Sequence, residues 1–577
     1  MKENVVLSLN SIGHDTSAAL LVNGVIVAAC EQERYTRDKH SRLFPVDAVN
    51  DCLLIGGITI DDVDVIVVPW LPDVMIRERY LRNALVSDKR LLLLKDDLDF
   101  VQRLFDMELN IKSKLNYNGR VEFLEHHMCH LSSTYYSSGF QDPLVVSYDG
   151  LGEIDTMAIA IVENNSLVIK ENNNKYPHSL GLLYSAVTYY LGWKYSYDEG
   201  IVMGLASLGD SSAIVLGKDI SYLEVFEKLV IIEGDFVFEL NFPDYMNFYE
   251  ERDTWVGDKF IEYFGPKRNE DDDITQHHMN IAAGLQDRMQ NIIIAQLKVA
   301  KNKYKKNKLC ISGGVGLNCT MNGKIASENI FDEIFIVPPA GDPGTTIGAC
   351  YLGWKLLGND IEINKRFNFY LGSRFDNEEI LEVLDDSNLS YYKPKDLYND
   401  TVDRIHDGKI IAWFQGAAEF GPRALGNRSI LTKPYPLEMK DYVNARVKFR
   451  EEFRPFAPAI LKEHCSNYFD IEQESPHMLI AVDAKKDNKD KIAATVHIDG
   501  SSRVQTVGKD NNLRFWKLLN AFYDKTGVPV LLNTSFNVKG QPIVNTPKEA
   551  IDTLLSTNID YLVMGDFIVD KVQVKND

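Results

Sequence analysis

The chain has 577 residues, 45% of them hydrophobic, and a formal net charge of −21 at pH 7. A chain of this length divides into at least two domains, because single hydrophobic cores stop growing near about 300 residues. The acidic balance argues against a nucleic-acid partner, since binding nucleic acid depends on Lys and Arg that neutralise backbone phosphates.

Cysteine usage and hydropathy indicate where the protein works. The seven cysteines include no CxxC pair, which is typical of free thiols in a reducing compartment. No apolar run approaches the about 20 residues that span a bilayer, and the first residues lead into a strand without a charged leader. We therefore expect a cytoplasmic protein with no membrane partner.

The first strands recur later in the chain. Residues 5–10 and 17–31 predict strands with a tight Asn23-Gly24 hairpin turn. The same pattern returns over residues 144–170, which indicates a fold made of two related halves. Duplicated hairpins that open two α/β halves are typical of actin/hexokinase-type nucleotide-binding domains.

Two histidines lie in the loops around the first hairpin. His14 lies in the turn GHDTSA, where the small neighbours would let a ligand approach the backbone, although a turn histidine often has no function. The loop ERYTRDKHSRLFP supplies Arg34, Lys39 and His40, which either cover a site or are simply solvated.

The densest group of potential metal ligands lies in FLEHHMCHLSSTYYSSGFQDPLVVSYDGLGE. His126 and His130 are four residues apart, so a helix over residues 125–136 would place both imidazoles on one face. Asp149 follows a buried strand, where open α/β sheets bind ligands. Two imidazoles and a carboxylate suit Fe(II), Zn or Mn. The alternative is a pair of surface histidines and a turn aspartate.

Two later segments add candidates to this site. In KLCISGGVGLNCT, the turn at Gly313-Gly314 and the helix start near Asn318 predict a cradle for an adenosine or its phosphate. Asp342, in the sequence GDPG at a helix start, is either a fourth metal ligand or a helix N-cap. His127 lies about 100° around the helix from His126 and is interpreted as a supporting or solvated residue.

The second domain concentrates cations. We place the boundary between residues 358 and 375, which gives domains 1–365 and 366–577. Guanidinium groups bind phosphoryl and carboxylate groups through paired hydrogen bonds, so these cations predict a pocket for a small doubly charged anion. Separate surface ion pairs are the alternative. The cations are Arg423, Arg428, Lys448, Arg450, Arg454 and Arg503.

Seven motifs spread over nearly the whole chain resemble those of the NodU/CmcH/TobZ family of O-carbamoyltransferases. They are GHDTSAALLVNG, EHHMCH, SGGVGLNC, EFGPRALGNRSIL, KFREEFRPFAPAIL, HIDGSSRVQTV and LNTSFNVKGQPI. The resemblance implies an N-terminal actin/hexokinase-like (TsaD-like) duplicated α/β domain with the metal site, followed by a C-terminal YrdC-like α/β domain.

The resemblance also implies a reaction. The YrdC-like domain would make carbamoyl-adenylate from carbamoyl phosphate and ATP, and the N-terminal metal site, with Fe(II) expected, would transfer the carbamoyl group to a hydroxyl of a small molecule, such as a natural product. The implied base is His14. The implied metal ligands are His126, His130, Asp149 and Asp342, and the implied donor-pocket residues are Arg423, Lys448, Arg450 or Arg454, Arg503 and Asn533.

The chain departs from the family pattern at two places. It has Ala417-Ala418 where many relatives carry Arg and a larger residue, and Ile201 where many carry Lys, so each change removes an expected anion contact. Two other functions stay open: a non-catalytic regulatory protein that binds nucleotide and metal, and a carbamoyltransferase that acts on a macromolecule. A homodimer is compatible with the sequence.

Overall fold

The computed structural model describes residues 4–363 and 366–574, with side chains described up to residue 571. The chain forms two compact units. The first comprises Met1–Gly13, Ala18–Ile26 and Gly56–Phe367, and the second comprises His14–Ser17, Val27–Ile55 and Asn368–Asp577. The predicted boundary at residue 365 lies outside the described residues.

The first sheet is built from the opening strands of the chain. Its strands are β1 (Val5–Asn10), β2 (Ser17–Val22), β3 (Val25–Glu31), β4 (Val65–Val68) and β5 (Arg120–Phe123). They lie in the order β3-β2-β1-β4-β5, and β1, β4 and β5 run parallel. The residues of β1 and β4 are all buried, as expected of continuous apolar strands covered on both faces.

A second sheet repeats this arrangement. The strands that follow are β6 (Leu144–Tyr148), β7 (Met157–Glu163), β8 (Ser166–Glu171), β9 (Val230–Ile232), β10 (Phe238–Leu240), β11 (Lys308–Ser312) and β12 (Glu333–Ile336). The sheet order is β12-β11-β6-β7-β8, with β6, β11 and β12 parallel, while β9 and β10 form a separate ribbon. Read from the other edge, this order matches the first sheet strand for strand. The predicted α/β class with a duplicated first half is confirmed.

Fourteen α-helices alternate with these strands in the described chain up to residue 357. They are α1 (Glu33–Thr36), α2 (Val46–Gly56), α3 (Pro72–Val74), α4 (Asp88–Asp96), α5 (Leu98–Phe105), α6 (Met107–Leu115), α7 (His126–Ser138), α8 (Leu180–Tyr190), α9 (Glu199–Ala206), α10 (Tyr222–Leu229), α11 (Asp258–Phe264), α12 (Gln276–Tyr304), α13 (Cys319–Ser327) and α14 (Thr345–Leu356). A π-helical segment, Met75–Arg82, precedes α4. None of the described helices is both long enough and apolar enough to cross a bilayer.

Two of these helices lie between the sheets. α7 packs on β6 and β11 of the second sheet, α14 packs on β1 and β4 of the first, and the two helices pack on each other. Gly353 lets α14 approach the first sheet closely, because a Cβ there would lie 2.6 Å from Val6 and 3.0 Å from Val67. The result is a layered core of sheet, helix, helix and sheet, as a duplicated α/β fold requires.

The second unit is organised around one mixed sheet. Its strands are β13 (Leu389–Tyr392), β14 (Ile411–Phe414), β15 (Arg428–Thr432), β16 (Ala457–Leu461), β17 (Ala481–Asp483), β18 (Ser501–Arg503), β19 (Gln505–Val507), β20 (Val530–Ser535), β21 (Tyr561–Met564) and β22 (Phe567–Val574). Eight of them form the sheet, in the order β13-β22-β21-β14-β15-β20-β16-β19, and β17 and β18 form a ribbon.

Helices cover this sheet. They are α15 (Asn377–Asp386), α16 (Leu397–His406), α17 (Met439–Val443), α18 (Cys465–Tyr468), α19 (Leu513–Thr526) and α20 (Pro547–Ser556). Residues 444–448 continue α17 as a π-helical turn that ends at Lys448, and Phe449 then takes a left-handed conformation with φ 48°. This turn therefore directs the chain into the cation-rich segment FREEFRPF.

Candidate functional site

Four potential metal ligands lie together in the first unit. The ligand atoms of His126, His130, Asp149 and Asp342 are all within 4.8 Å of one another. His126 Nε2 lies 3.5 Å from Asp149 Oδ2 and 3.6 Å from Asp342 Oδ1, and the distances from His130 Nε2 are 3.9 and 3.8 Å. Ligands about 2.1 Å from a tetrahedral ion are separated by about 3.4 Å. The spacing therefore leaves room for one cation among the four groups.

The imidazoles of this group have nitrogen atoms that the protein does not use. Among the described residues, His126 Nε2 and both ring nitrogens of His130 are buried without a hydrogen-bond partner. Leaving such a group unsatisfied costs about 1–3 kcal/mol, which a ligand would offset. His126 Nδ1 donates to the Pro69 carbonyl oxygen at 3.1 Å, which directs Nε2 to the carboxylates. The Trp70 ring stacks on this imidazole with 3.8 Å between centroids.

The two carboxylates of the group are held in their charged form. Burial opposes the ionisation of Asp149, but the nearby imidazoles of His126 and His130 outweigh it and hold the pKa well below its usual range. The same balance lowers the pKa of Asp342. Burial alone would lower the pKa of His126, yet the two carboxylates 3.5 and 3.6 Å from its Nε2 raise it well above the usual value. A metal ion bound here must therefore displace a proton.

His127, which points away from this group, supports the fold. One of its ring nitrogens lies 3.0 Å from Ser147 Oγ, and the other donates to the Asp155 carbonyl oxygen at 2.9 Å. The ring is fully buried, and burial lowers its pKa. Of the two interpretations offered by the sequence, the structure therefore excludes a solvated side chain.

The glycine-rich turn predicted to cradle a nucleotide makes close contacts within the protein. Gly313 has φ +83°, and a Cβ there would lie 2.1 Å from the Tyr148 carbonyl oxygen. The Gly314 amide donates to Asp149 Oδ1 at 2.7 Å. Asn318 caps α13 by accepting from the Met321 amide at 2.9 Å, and it also pairs with Gln286. The turn thus positions Asp149, and nucleotide binding by it stays a prediction.

His14 belongs to the second unit and shares an aspartate with another histidine. His14 Nδ1 donates to Asp15 Oδ2 at 2.6 Å, and His40 Nδ1 donates to Asp15 Oδ1 at 2.7 Å. Burial opposes ionisation of Asp15, but these hydrogen bonds hold its pKa below the usual range. An imidazole that donates Nδ1–H to a carboxylate can accept a proton at Nε2. Asp15 is not among the residues predicted from the sequence, although the adjacent His and Asp of GHDT were an available signal.

Several predicted cations of the second unit lie close to one another. Burial lowers the pKa of Arg450 well below its usual range, and the charges of Arg454, Arg503 and Arg423 lower it further, while the nearby Glu451 acts in the opposite direction. Arg454 Nη1 lies 3.4 Å from Glu451 Oε2. The excess of guanidinium groups over carboxylates makes this region suitable for an anion.

Lys448 is buried beside these arginines without a carboxylate partner among the described side chains. Its ammonium group donates to oxygens of Ser535 and Asn537, including the Ser535 carbonyl at 2.5 Å and Asn537 Oδ1 at 2.7 Å. Burial and then the charges of Arg450, Arg454 and Lys39 lower its pKa well below the usual value. A bound anion would supply the charge that these neutral oxygens lack.

Arg428 and Asn533 have roles inside the fold. Arg428 is fully buried, donates to four backbone carbonyls and lies 3.7 Å over the Phe414 ring, so it is not available to an anion as the sequence suggested. Asn533 donates to the Gln505 side chain at 2.8 Å, while its own buried Oδ1 finds no partner among the described residues. Asn533 therefore keeps one acceptor for a ligand.

The two departures from the family pattern lie in packed positions. Ile201 is a core residue of α9, 6% exposed, so a lysine at this position would be buried in the first unit. Ala418 is also buried, and its carbonyl accepts from the Gly372 amide at 3.0 Å. Ala417, the other residue of this pair, is half-buried, so apolar packing accounts for positions 201 and 418 only.

Both units of the chain match known protein families. The family description "Carbamoyltransferase N-terminus" matches residues 6–351, and "Carbamoyltransferase C-terminus" matches residues 402–571. The chain belongs to the carbamoyltransferase family. It is therefore an enzyme of carbamoyl-group transfer, and the resemblance seen in its motifs is confirmed.

Relatives extend over most of the chain. An uncharacterised protein of Synechocystis sp. is 36% identical over 605 residues, covering 98% of this chain and 96% of that protein. Nodulation protein NolNO of Sinorhizobium fredii is 32% identical, covering 99% of this chain and 81% of that protein. The 3'-hydroxymethylcephem-O-carbamoyltransferase of Amycolatopsis lactamdurans is 33% identical over 370 residues, which is 64% of each chain.

Proposed function

We propose that the protein is an ATP-dependent O-carbamoyltransferase that makes carbamoyl-adenylate and transfers its carbamoyl group to a hydroxyl of a small molecule, such as a natural product. The main support is the group of His126, His130, Asp149 and Asp342, in which three of the four imidazole nitrogens are buried without a hydrogen-bond partner among the described residues. The cations around Arg450 and Lys448 support a separate site for the anionic donor.

The donor step is assigned to the second unit. Carbamoyl phosphate and ATP are both anionic, and Arg423, Lys448, Arg450, Arg454 and Arg503 would offset their charges. Atom balance requires water to release inorganic phosphate and leave carbamate, whose oxygen then attacks the α-phosphorus of ATP. Pyrophosphate leaves, and carbamoyl-adenylate is formed. Carbamate decomposes in water, so the buried position of Lys448 suits this step.

The transfer step is assigned to the metal group of the first unit. A divalent ion held by two imidazoles and two carboxylates suits Fe(II), Zn or Mn. When bound, such an ion supplies Lewis acidity toward a carbonyl or phosphoryl oxygen, worth several kcal/mol at the transition state. His14, oriented by Asp15, would accept the proton of the acceptor hydroxyl at Nε2. The hydroxyl oxygen bonds to the carbamoyl carbon, and AMP leaves.

Product analysis tests this proposal. The protein is incubated with carbamoyl phosphate and ATP, and phosphate and pyrophosphate are measured together. Equal amounts of both are expected, and Arg503→Ala or Lys448→Met should stop the release of pyrophosphate. An exposed lysine of the same unit, Lys395→Met, serves as the control. Normal pyrophosphate release by both variants would show that Arg503 and Lys448 do not form the donor site.

The acceptor is then sought by mass spectrometry. The protein, metal, carbamoyl phosphate and ATP are incubated with a panel of primary and secondary alcohols, and products that gain one CONH group are detected. A carbamoylated alcohol with one AMP released per transfer supports the proposal. Binding of nucleotide and metal without pyrophosphate or product would instead favour a regulatory protein. A carbamoylated macromolecule would show that the acceptor is not a small molecule.

A further inference from the structure

Helix α4 exposes a run of leucines to solvent. The sequence of α4 is DKRLLLLKD, and its only buried residue is Arg90. Leu91 and Leu92 are 53% and 63% exposed, and Leu93 and Leu94 are half-buried. An amphipathic surface helix normally turns its leucines to the core. The outward leucines of α4 therefore need another explanation than the packing of this chain.

Polar contacts hold α4 in this orientation. Arg90 Nη1 donates to the Tyr249 carbonyl oxygen at 2.5 Å, and its guanidinium lies 4.5 Å from the centre of the Tyr249 ring. Ser87 caps the helix by accepting from the Arg90 amide at 3.3 Å, and its hydroxyl donates to Glu250 at 3.0 Å. Because Arg90 faces inward and is anchored, the leucines are fixed on the outside.

Neighbouring elements enlarge the apolar area. The π-helical segment, α4 and α6 each contact α5, and these elements with the turn at residues 83–87 expose eight large apolar side chains. We call this set the leucine face: Leu81, Leu85, Val86, Leu91, Leu92, Leu98, Phe105 and Leu109. The summed exposed area of these eight residues is on the order of 900 Å². It reaches the about 800 Å² that each partner of a stable complex buries.

The charges on α4 indicate which partner fits. Asp88, Leu91, Leu92 and Lys95 follow one exposed stripe, since they are spaced at three, four and seven residues. The stripe has an acid at its N-terminal end and a base at its C-terminal end, and neither forms an ion pair with a described residue. An antiparallel copy centred between Leu91 and Leu92 would bring Asp88 level with Lys95 and leucine against leucine. The stripe is therefore complementary to itself.

We propose that the leucine face binds a second copy of this chain, with α4 antiparallel to α4 across a two-fold axis between Leu91 and Leu92. Such an isologous contact uses the same surface on both copies. The leucines exclude water at its centre, and two symmetric Asp88–Lys95 pairs set the register at its edges.

Charge exchange tests the contact directly. The molecular mass of the full chain is measured by sedimentation equilibrium from about 1 to about 100 μM. Wild type is expected to be a dimer. Asp88→Lys alone or Lys95→Asp alone places like charges opposite each other and should weaken dimerisation at least tenfold. The double variant, with Asp88→Lys and Lys95→Asp, restores opposite charges and should dimerise again.

A substitution of the leucines completes the test. Leu91→Ser with Leu92→Ser should give a monomer with unchanged helix content, while Leu216→Ser, at a leucine that is 91% exposed elsewhere in the first unit, should leave the dimer intact. A monomeric wild type, a dimer that survives the double leucine change, or a double charge variant that stays dissociated would overturn the proposal. A wild-type monomer that instead binds vesicles of neutral lipid would assign the face to a membrane surface.

Discussion

Gly348 of α14 lies against the backbone of Cys129 in α7. A Cβ on Gly348 would fall 1.9 Å from the Cys129 carbonyl oxygen and 2.8 Å from the Ser133 amide nitrogen. The two helices can therefore touch only because residue 348 has no side chain. Cys129 lies between His126 and His130, and Asp342 precedes α14, so this contact sets the spacing of the proposed metal ligands.

Gly348→Ala should separate the two helices. The new methyl meets backbone atoms that cannot move independently, and overpacking of this kind typically costs about 1–3 kcal/mol. We expect lower thermal stability and a loss of bound metal, because Asp342 would move relative to both histidines. Differential scanning calorimetry and metal analysis by mass spectrometry measure the two effects on one sample.

Gly200→Ala is the matched control for this change. Gly200 lies in α9, and a Cβ there would meet no atom within 4 Å. Alanine is also about 1 kcal/mol better than glycine in a helix, so stability should stay equal or rise. Full metal content in Gly348→Ala would show that the helix contact does not control the spacing of the group.

Removal of either imidazole should abolish metal binding and carbamoyl transfer while adenylate formation continues. His126→Ala and His130→Ala each remove one of four grouped ligand atoms. The loss of affinity should exceed the about 10–100-fold that removal of an outer hydrogen-bond partner costs. Metal titration and pyrophosphate release are measured on the same preparations.

The exposed His406 provides a control for the histidine substitutions. His406→Ala should retain wild-type metal affinity and transfer. If both site variants bind Fe(II), Zn and Mn as tightly as the wild type, the four residues do not hold the metal. Loss of pyrophosphate release in these variants would mean that the two steps are not separate.

His14→Asn should retain the fold, the metal and adenylate formation, yet slow the transfer step. A positioned base contributes about 10²–10⁴-fold, so single-turnover transfer should fall by that factor. Asparagine can still donate to Asp15, which keeps the local hydrogen bond. Rapid quench of the reaction with preformed carbamoyl-adenylate measures the rate.

The affinity for carbamoyl-adenylate shows whether His14 acts as a base or binds the phosphate group. If His14 binds phosphate, His14→Asn should bind the adenylate weakly and react at an unchanged rate once saturated. His40→Asn retains the same donor toward Asp15 and leaves His14 in place, so its transfer rate should stay near that of the wild type.

Anion binding at Lys448 should take up a proton. Burial and the neighbouring cations lower the pKa of Lys448, so above that pKa the amine is neutral in the ligand-free protein. A bound dianion favours the ammonium form and raises the pKa again. Calorimetry with inorganic phosphate at about pH 8.5, where phosphate is a dianion, should give heats that depend on the ionisation enthalpy of the buffer.

Lys448→Met should remove this buffer dependence, whereas Lys395→Met should preserve it. The lowered pKa of Lys448 also makes the stability of the fold depend on pH. Because the unfolded lysine, with pKa about 10.4, binds more protons than the folded one, stability should rise with pH through the lowered pKa and level off above about 10.4. Identical heats in all buffers for the wild type would show that Lys448 stays charged without the anion.

The sequence predicts contacts that depend on local geometry. The closeness of His126 and His130 follows from their spacing on one helix, and the place of Asp149 follows from its position after a buried strand. The duplicated order of strands could also be expected, because the hairpin pattern occurs twice. In each case the period of the chain determines which side chains can meet.

Contacts that depend on tertiary packing cannot be predicted from the local pattern of the sequence. Asp15 meets His40 across 25 residues, and both residues lie in left-handed positions, with φ 60° and 58°. Arg428 carries the same charge as Arg450, but four backbone carbonyls already accept hydrogen bonds from its fully buried guanidinium. The exposed leucines of α4 violate the helical pattern, and such a violation was a signal that the sequence did contain.

The duplicated sheets give each half of the first unit an equivalent set of strand ends, but the halves use them differently. After β6 comes the carboxylate Asp149, whereas β1 ends at Asn10, whose neutral Oδ1 accepts from Trp70 Nε1 at 2.9 Å. Trp70 in turn stacks on His126. One half thus contributes a charged ligand, and the other orients an imidazole. A substitution at Asp149 should therefore change how strongly a cation is held, whereas one at Asn10 should change the orientation of the His126 ring.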